Sequence, residues 1–394
     1  MNPNEERHLT PIFISLVPNL MQGQGHIIPY HKSVSEAVSQ LGWKHFVAVP
    51  INNKVHNLPI NWDTCLSNYD LEKEGSWYDK FLHFQEIWIL GKKIANYLNN
   101  KIADQSRPRI LFIERFIHLQ LLALFLALLL IPTNNLSVWL LYRRDTHKDK
   151  TRIIYKILNY LIKIRIKPEK FKLVTDSDLL SKQLSKYFEI PVKVFPIPHT
   201  KVNLSSSIID NKSKILCWWP GLPREEKGWH IIQKLVSYSG ENTKNICLIC
   251  SEKANLQSTK NGVNLELVKN YLTREEYYSW LHLSQVILLP YDSFEYGSRT
   301  SGIFTECIVS GKIPLVTNNT WMSHECLKYN LTELIIDWHN PKYVFDNIKK
   351  ITQSNIIKNK IQNMQESYNR FHNIANYSLT IKNLYRETIT SNYD

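Results

Sequence analysis

Arg224 and Lys227 lie in the segment ILCWWPGLPREEKGWHIIQKL, where an apolar run gives way to Pro220-Gly221 and a helix opens near Gly228. Cations fixed at a strand end beside a helix N-terminus stabilise the negative charge that develops on a departing diphosphate. Paired with Glu225 and Glu226 instead, they would make an ordinary exposed turn. A second cluster occupies LLPYDSFEYGSRTSGIFTECIVSGKIPLVTNNTW, residues 288–321, in which a strand ends at Pro290-Tyr291 and a helix begins near Ser301-Gly302. Ile303, Phe304, Cys307 and Ile308 form the expected buried face of that helix, and Gly311 ends it. Backbone amides around Ser301 and Gly302 suit phosphates, and Glu306, in the second turn, is placed to accept hydrogen bonds from both hydroxyls of a ribose. The plainer reading of Glu306 is a surface or capping glutamate. A third cluster is VPNLMQGQGHIIPYH, where Gly23 and Gly25 let the backbone approach a phosphate or sugar closely and His26 offers a hydrogen bond. A tight turn and a solvated histidine are the alternatives there. Cys247 and Cys250, in ICLIC, point to opposite faces of a strand and do not form a metal pair, and no Asp-x-Asp-like pair or His cluster stands at a strand end to hold a divalent ion.

The elements that must carry these loops follow from periodicity. PIFISLV at 11–17 reads as a strand, and Val34, Ala37, Val38 and Leu41 mark one face of a helix entered at Pro29 and stopped at Gly42. HFVAVP (45–50), ILFI (110–113), SVWLLY (137–142) and FKLVT (171–175) are further strands, separated by helical stretches at about 79–99, 116–130, 149–164 and 178–187. Such alternation predicts a parallel sheet with helices on both faces. The segment from 195 to 213 breaks the pattern with two prolines and a Ser/Asn-rich run, and reads as a linker. Alternation then restarts with strands KILCWW (214–219), NICLIC (245–250), VILLPY (286–291) and IPLVT (313–317), and helices near 228–238, 273–283, 301–310 and 340–351. The expectation is two Rossmann-like, doubly wound α/β domains, 1–200 and 201–372, with a C-terminal helix in 373–394 packing back towards the first. Ligands of open α/β domains sit beyond the carboxyl ends of the strands, so two such domains leave a cleft between them.

Composition narrows the partners. With 394 residues, 43% hydrophobic and 21% charged, the chain is too long for one core and too apolar for disorder or a fibrous class. Forty-eight Lys+Arg against 35 Asp+Glu leave +13, which suits anions: nucleotides, phosphosugars, acidic lipid heads or nucleic acid. The 11 Trp and 20 Tyr sit largely in apolar runs and no nucleic-acid-binding motif is present, which sets nucleic acid aside. Six scattered cysteines make no disulfide framework, and MNPNEERHLTP lacks the apolar core of a secretory signal, so a cytoplasmic location is expected. The apolar stretch 121–131 is far short of the ~20 residues that span a bilayer and reads as a buried core helix. Between 148 and 172 stand nine Lys/Arg and two acidic residues, with Ile153, Ile154, Ile157, Leu158, Leu161 and Ile162 as a helical stripe. A basic amphipathic helix suits peripheral contact with an anionic membrane at its inner face, and equally a helix covering the sheet with a basic solvated side.

Taken in order, G-Q-G-H after the first strand, P-G-x-x-R-x-x-K-G opening the second domain, and P-Y followed by S-G-I-F-T-E-x-x-x-x-G-K-I-P-L-V resemble the GT-B glycosyltransferases and are most similar to family 4, across nearly the whole chain. The resemblance implies transfer of a sugar from a nucleotide-diphosphate sugar to an acceptor hydroxyl, with retention and with no metal or other cofactor. It places the donor on the second domain and a glycan or lipid-linked acceptor on the first. Gly25 matches the glycine of the family's first loop, Lys227 the diphosphate lysine, and Glu306 the ribose-binding second acid of the Glu-x7-Glu motif. The first acid falls on Ser298, so its contact to the donor sugar is either missing or supplied by a neighbour such as Arg299 or Glu295, and the arginine expected after Gly221 is Leu222, with Arg224 as a displaced substitute. Glu114 stands where the family often has a histidine and is a candidate to bind or activate the acceptor hydroxyl, unless the leaving phosphate takes that proton; Arg115 and Arg143 are its alternative ion-pair partners. Arg144, Asp145 and His147 are further acceptor-side candidates alongside His26. Two rival readings share the architecture: a sugar-nucleotide epimerase, which needs no acceptor, and a non-catalytic sugar- or nucleic-acid-binding protein.

Overall fold

Apolar, β-branched runs become the strands of two separate parallel sheets in the computed structural model, which describes residues 10–20, 27–53, 55, 58–69, 71, 77–101, 107–200 and 214–389. The chain divides into one unit of 1–199 with 374–394 and a second of 200–373. The first unit runs β1 (Ile12–Leu16), α1 (Ile27–Gln40), β2 (Lys44–Pro50), β3 (Trp62–Leu66), α2 (Trp77–Lys101), β4 (Arg109–Glu114), α3 (His118–Leu129), β5 (Leu136–Tyr142), α4 (Arg152–Ile166), β6 (Phe171–Thr175), α5 (Asp178–Phe188) and β7 (Val192–Val194). Its strands pair in parallel in the order β3-β2-β1-β4-β5-β6-β7. Every residue of β4 and β5 is buried, as both faces of the sheet are covered. Alternate side chains serve opposite layers: Ile14, Leu16, Leu111, Ile113 and Leu140 pack among α2, α3, α4 and α5, while Phe13, Ile110, Phe112 and Trp139 pack against α1 and the last helix of the chain.

The second unit runs β8 (Ile215–Trp218), α6 (Trp229–Ser237), β9 (Ile246–Ser251), β10 (Asn264–Val268), α7 (Arg274–Leu283), β11 (Val286–Leu289), α8 (Gly302–Val309), β12 (Ile313–Thr317), α9 (Trp321–Lys328), β13 (Ile335–Ile336), α10 (Pro341–Gln353) and α11 (Asn355–Phe371). Its strands are again parallel, in the order β10-β9-β8-β11-β12-β13. The chain then returns: α12 (Ile374–Ile389) belongs to the first unit, where Tyr377, Ile381 and Leu384 join the core beside α1 and the Tyr377 and Tyr30 hydroxyls lie 2.7 Å apart.

Three expectations change. The apolar stretch 121–131 is a core helix on one side only, since Leu121, Leu124 and Leu128 are buried while Leu129 and Leu130 are exposed. The stripe assigned to α4 mixes two faces: Leu158 and Ile162 point inward with Tyr155 and Ile166, but Ile153, Ile154 and Ile157 face solvent. Phe195 lies in the first core and not in a linker, its N–H still donating to Thr175 O of β6 at 2.7 Å just beyond β7; 201–213 falls outside the described residues. Among the described residues no helix is long and apolar enough to cross a membrane.

Candidate functional site

Both sheets reverse their strand order beside the first strand, so the loops leaving β1 and β4, and those leaving β8 and β11, meet at a topological switch point. In the second unit, Gly221 (φ 92°) and Gly228 (φ 77°) take left-handed conformations. A Cβ at Gly228 would stand 2.1 Å from the Pro290 carbonyl oxygen, so glycine is what lets the two loops touch. Asp292 N donates to Glu226 O at 3.0 Å, and Trp219 Nε1 donates to Lys227 O at 3.1 Å. These contacts fix Lys227 on the loop, where it is only 8% exposed. Its Nζ lies 5.5 Å from the centre of the Tyr291 ring and makes no ion pair or hydrogen bond among the described residues. Burial, and then Arg224 and Arg299, push the ammonium down to about 8 against the pull of Glu226.

The other candidates of this unit divide. Arg224 turns to Glu226 at 3.1 Å on the exposed side, so the paired-turn reading holds for it and not for Lys227. Arg299 lays its guanidinium 4.8 Å from the centre of the Tyr296 ring. Ser301 caps α8, its hydroxyl accepting from Phe304 N at 3.2 Å, and a Cβ at Gly302 would meet nothing within 4 Å. Glu306 is neither a surface nor a capping residue: it is 4% exposed, with Oε1 accepting from Arg274 Nη2 at 2.8 Å and Oε2 from the Tyr277 hydroxyl at 2.7 Å. Two of its roughly four lone-pair positions are thereby used. Ser298, at the place of the first acid, is fully buried, while Glu295 is exposed.

In the first unit, Asn19 Nδ2 donates to Arg115 O at 2.7 Å and joins the β1 and β4 loops. Gly25 and His26 lie outside the described residues. Glu114, the last residue of β4, is 3% exposed; it lies 3.1 Å from His31 Nε2 and 3.2 Å from Arg143 Nε. Arg143 also lies 3.6 Å from Asp176 Oδ2 and 4.4 Å from the centre of the Tyr30 ring. Burial works against its charge, but Glu114 and Asp176 hold the guanidinium above its ordinary range. Sequence reasoning missed His31, and named Arg143 only as a partner; Asp176 was missed as well. The available signal was that Glu114 closes β4 while Arg143 and Asp176 directly follow β5 and β6, where side chains project from the carboxyl edge of the sheet. The contacts of Arg144 and Asp145 run towards α4 and the turn before it. Arg144 lies 3.3 Å from Asp149 and donates to the Tyr155 hydroxyl at 2.9 Å, and Asp145 accepts from Lys148 at 3.1 Å. Among the described residues no three or more His, Cys, Asp or Glu gather as a metal-holding group.

Neither a family model nor a curated protein sequence matches the chain. Solved structures do. The N-terminal domain of a Candida albicans trehalose-6-phosphate phosphatase is similar with 12% identity and a TM-score of 0.68, over 98% of this chain and 99% of that one. Trehalose 6-phosphate synthase of Burkholderia multivorans follows with 9% identity and a TM-score of 0.66, over 98% of each chain. HepE of Anabaena, solved in complex with UDP-glucose, has 9% identity and a TM-score of 0.58, over 98% of this chain and 100% of that one. At such identities the likeness is one of fold, and the fold is GT-B: two Rossmann-like α/β units, each with its switch point lined by the residues described above.

Proposed function

We propose that the chain is a glycosyltransferase of the family 4 kind, moving a hexose from a nucleotide-diphosphate sugar to an acceptor hydroxyl, with retention and without metal. One observation carries the reading. Lys227 is a buried cation with no counter-ion among the described residues, held at a switch point by two glycine-dependent loops. Desolvating an unpaired charge is costly, and a diphosphate would offset that cost. HepE, of the same fold, binds UDP-glucose.

As the bond between the anomeric carbon and the diphosphate oxygen breaks, charge accumulates on that oxygen, and Lys227 with the Ser301 and Gly302 amides stabilises it. Glu306 takes the ribose hydroxyls, Arg224 and Arg299 add positive potential, and Gly25 allows close approach of the first loop. Glu114, steadied by His31 and Arg143, orients the acceptor hydroxyl, and Arg144, Asp145 and His26 are the remaining acceptor-side candidates. In a front-face transfer the departing phosphate oxygen receives the acceptor proton. The acceptor is a glycan or lipid-linked glycan, in polysaccharide or glycolipid synthesis in the cytoplasm.

The test is thermal unfolding of the wild type and of Lys227→Ala with a panel of nucleoside diphosphates. At 100 times its dissociation constant the correct nucleotide adds about 2.7 kcal/mol of stability to the wild type. A panel that leaves the wild type unmoved, or moves both proteins equally, removes the reading. Turnover with a nucleotide sugar is expected to persist in EDTA, and a strict need for added Mn²⁺ or Mg²⁺ would count against the absence of metal. Products without any acceptor would point to the epimerase.

A further inference from the structure

The outer side of α4 is not the surface a solvated helix presents. Ile153, Ile157, Tyr160 and Ile164 follow one another along the helix, and they are 62%, 52%, 62% and 59% exposed. The opposite side, with Tyr155, Leu158, Ile162 and Ile166, already fills the core, so the outward stripe adds nothing to the core among the described residues. The end of α3 carries a second exposed apolar patch. Arg165 donates to Ile131 O at 2.9 Å and to Thr133 Oγ1 at 2.8 Å, which ties the end of α4 beside the end of α3, where Leu129 and Leu130 are 51% and 45% exposed. A helix as apolar as HLQLLALFLALL is normally covered on all sides, and here Leu122, Phe125 and Leu126 pack against the core yet remain only partly buried. A row of exposed apolar side chains of this kind along α4 marks a place of attachment.

The charges beside it select the partner. Arg152, Lys156 and Lys163 stand at positions i, i+4 and i+11 of α4 and so run along one edge of the isoleucine stripe. Arg152 and Lys163 make no ion pair among the described residues, and Lys156 reaches Glu189 at 2.7 Å. Lys150 and Lys167 extend the basic run at either end, within a segment of nine Lys/Arg and two acidic residues. A second copy of the chain seated here by a two-fold axis would face these cations with its own, at a repulsive cost. An anionic lipid surface receives both features at once: the isoleucines enter the boundary between headgroups and acyl chains, and the long cationic stems reach up to the phosphates.

We propose that the outer face of α4, with the end of α3, docks the protein on an anionic lipid bilayer. Through Tyr155, which accepts from Arg144, α4 also adjoins the carboxyl edge of the first sheet, so docking would set that edge near the bilayer and favour a lipid-linked acceptor. The lipid contact itself does not depend on the transfer chemistry, and nucleotide binding by each variant is measured separately to keep the two apart.

Sedimentation of the full chain with vesicles of phosphatidylcholine alone, and of phosphatidylcholine with phosphatidylglycerol, tests this. The wild type is expected to pellet with the anionic vesicles and to be released by high salt. Joint replacement Ile157→Ser and Ile164→Ser should weaken that binding by about tenfold or more, given the apolar area withdrawn from the lipid. Joint reversal Arg152→Glu and Lys163→Glu should weaken it by about fivefold or more per cation. Ile157, Ile164 and Arg152 are exposed and Lys163 is half-exposed, so unchanged thermal unfolding is expected and certifies each variant. No binding by the wild type, equal binding to neutral vesicles, or anionic binding indifferent to both double variants would overturn the proposal. So would sedimentation equilibrium showing a wild-type dimer that the isoleucine replacements dissociate, since the face would then belong to a second copy.

Discussion

Lys227 and Glu306 show how a residue's surroundings decide its chemistry. Folding pushes the Lys227 ammonium down to about 8 through burial and its arginine neighbours, whereas the unfolded chain keeps the ordinary value of 10.5. Between those values the unfolded state binds more protons, so this lysine opposes folding most below pH 8, and stability rises as pH climbs through the window. Lys227→Met is therefore expected to raise the melting temperature at pH 7 while lowering turnover by about a hundredfold, the loss seen when one fixed stabiliser of an oxyanion is removed. Nucleoside diphosphate affinity in the wild type should be level between about pH 7 and 8, where the ligand keeps its charge, and fall above about pH 8, a fall calorimetry would find missing in the variant. Glu306 calls for a subtler measurement because Arg274 and Tyr277 already hold it. If it also binds ribose, Glu306→Gln should narrow the affinity gap between a ribonucleotide and its 2′-deoxy form by part of the ~1.5–3 kcal/mol of a charge-assisted hydrogen bond. An unchanged ratio would leave Glu306 as a structural ion pair. The sequence made both residues candidates through loop and helix position, but it could not show that one has no carboxylate partner among the described residues and the other has two donors. Those partners come from α7 and from loop contacts distant in the chain.

At the scale of elements, the glycines separate backbone need from ligand need. Gly228 combines φ 77° with a Cβ position 2.1 Å from Pro290 O, so Gly228→Ala must displace the β8 loop, the β11 loop or both. A loss of about 3 kcal/mol or more is expected, together with weaker nucleotide binding. Gly302 has open space around its missing Cβ at the start of α8, so Gly302→Ala should leave stability level or raise it by up to ~1 kcal/mol, and any fall in nucleotide affinity would report ligand contact directly. Denaturant unfolding of both variants, with and without nucleotide, checks the contrast. The long central strands were legible because burial on both faces leaves nearly unbroken apolar runs such as ILFI and SVWLLY. The edges were not. β3 (WDTCL) and β10 (NLELV) are half-exposed end strands with mixed patterns, and β7 is only three residues long. In α4 the isoleucines on two sides obscured the period, because the outward stripe obeys a demand other than the core.

For the molecule as a whole, the path of the chain makes the first unit depend on its last helix. α12 follows the second unit in sequence but packs against α1, burying Tyr377, Ile381 and Leu384 and setting Tyr385 against Trp43 with ring centres 5.1 Å apart. Three large apolar side chains at ~1.5–3 kcal/mol each amount to about 5–9 kcal/mol, comparable with the 5–15 kcal/mol that holds a typical domain folded. Ending the chain after Asn373 should therefore unfold the first unit while leaving the second, 200–373, with its own core and its own switch point. Scanning calorimetry of the shortened chain is expected to lose one transition, and added nucleoside diphosphate should still shift the one that remains. The milder Tyr377→Phe removes a single buried hydrogen bond to Tyr30 and should lower the first unit's stability by ~1 kcal/mol. A shortened chain that keeps both transitions would show that α12 only rests on a unit already complete without it. Loss of both transitions together would instead mean that the units fold as one, so that Lys227 owes its burial to residues beyond its own sheet.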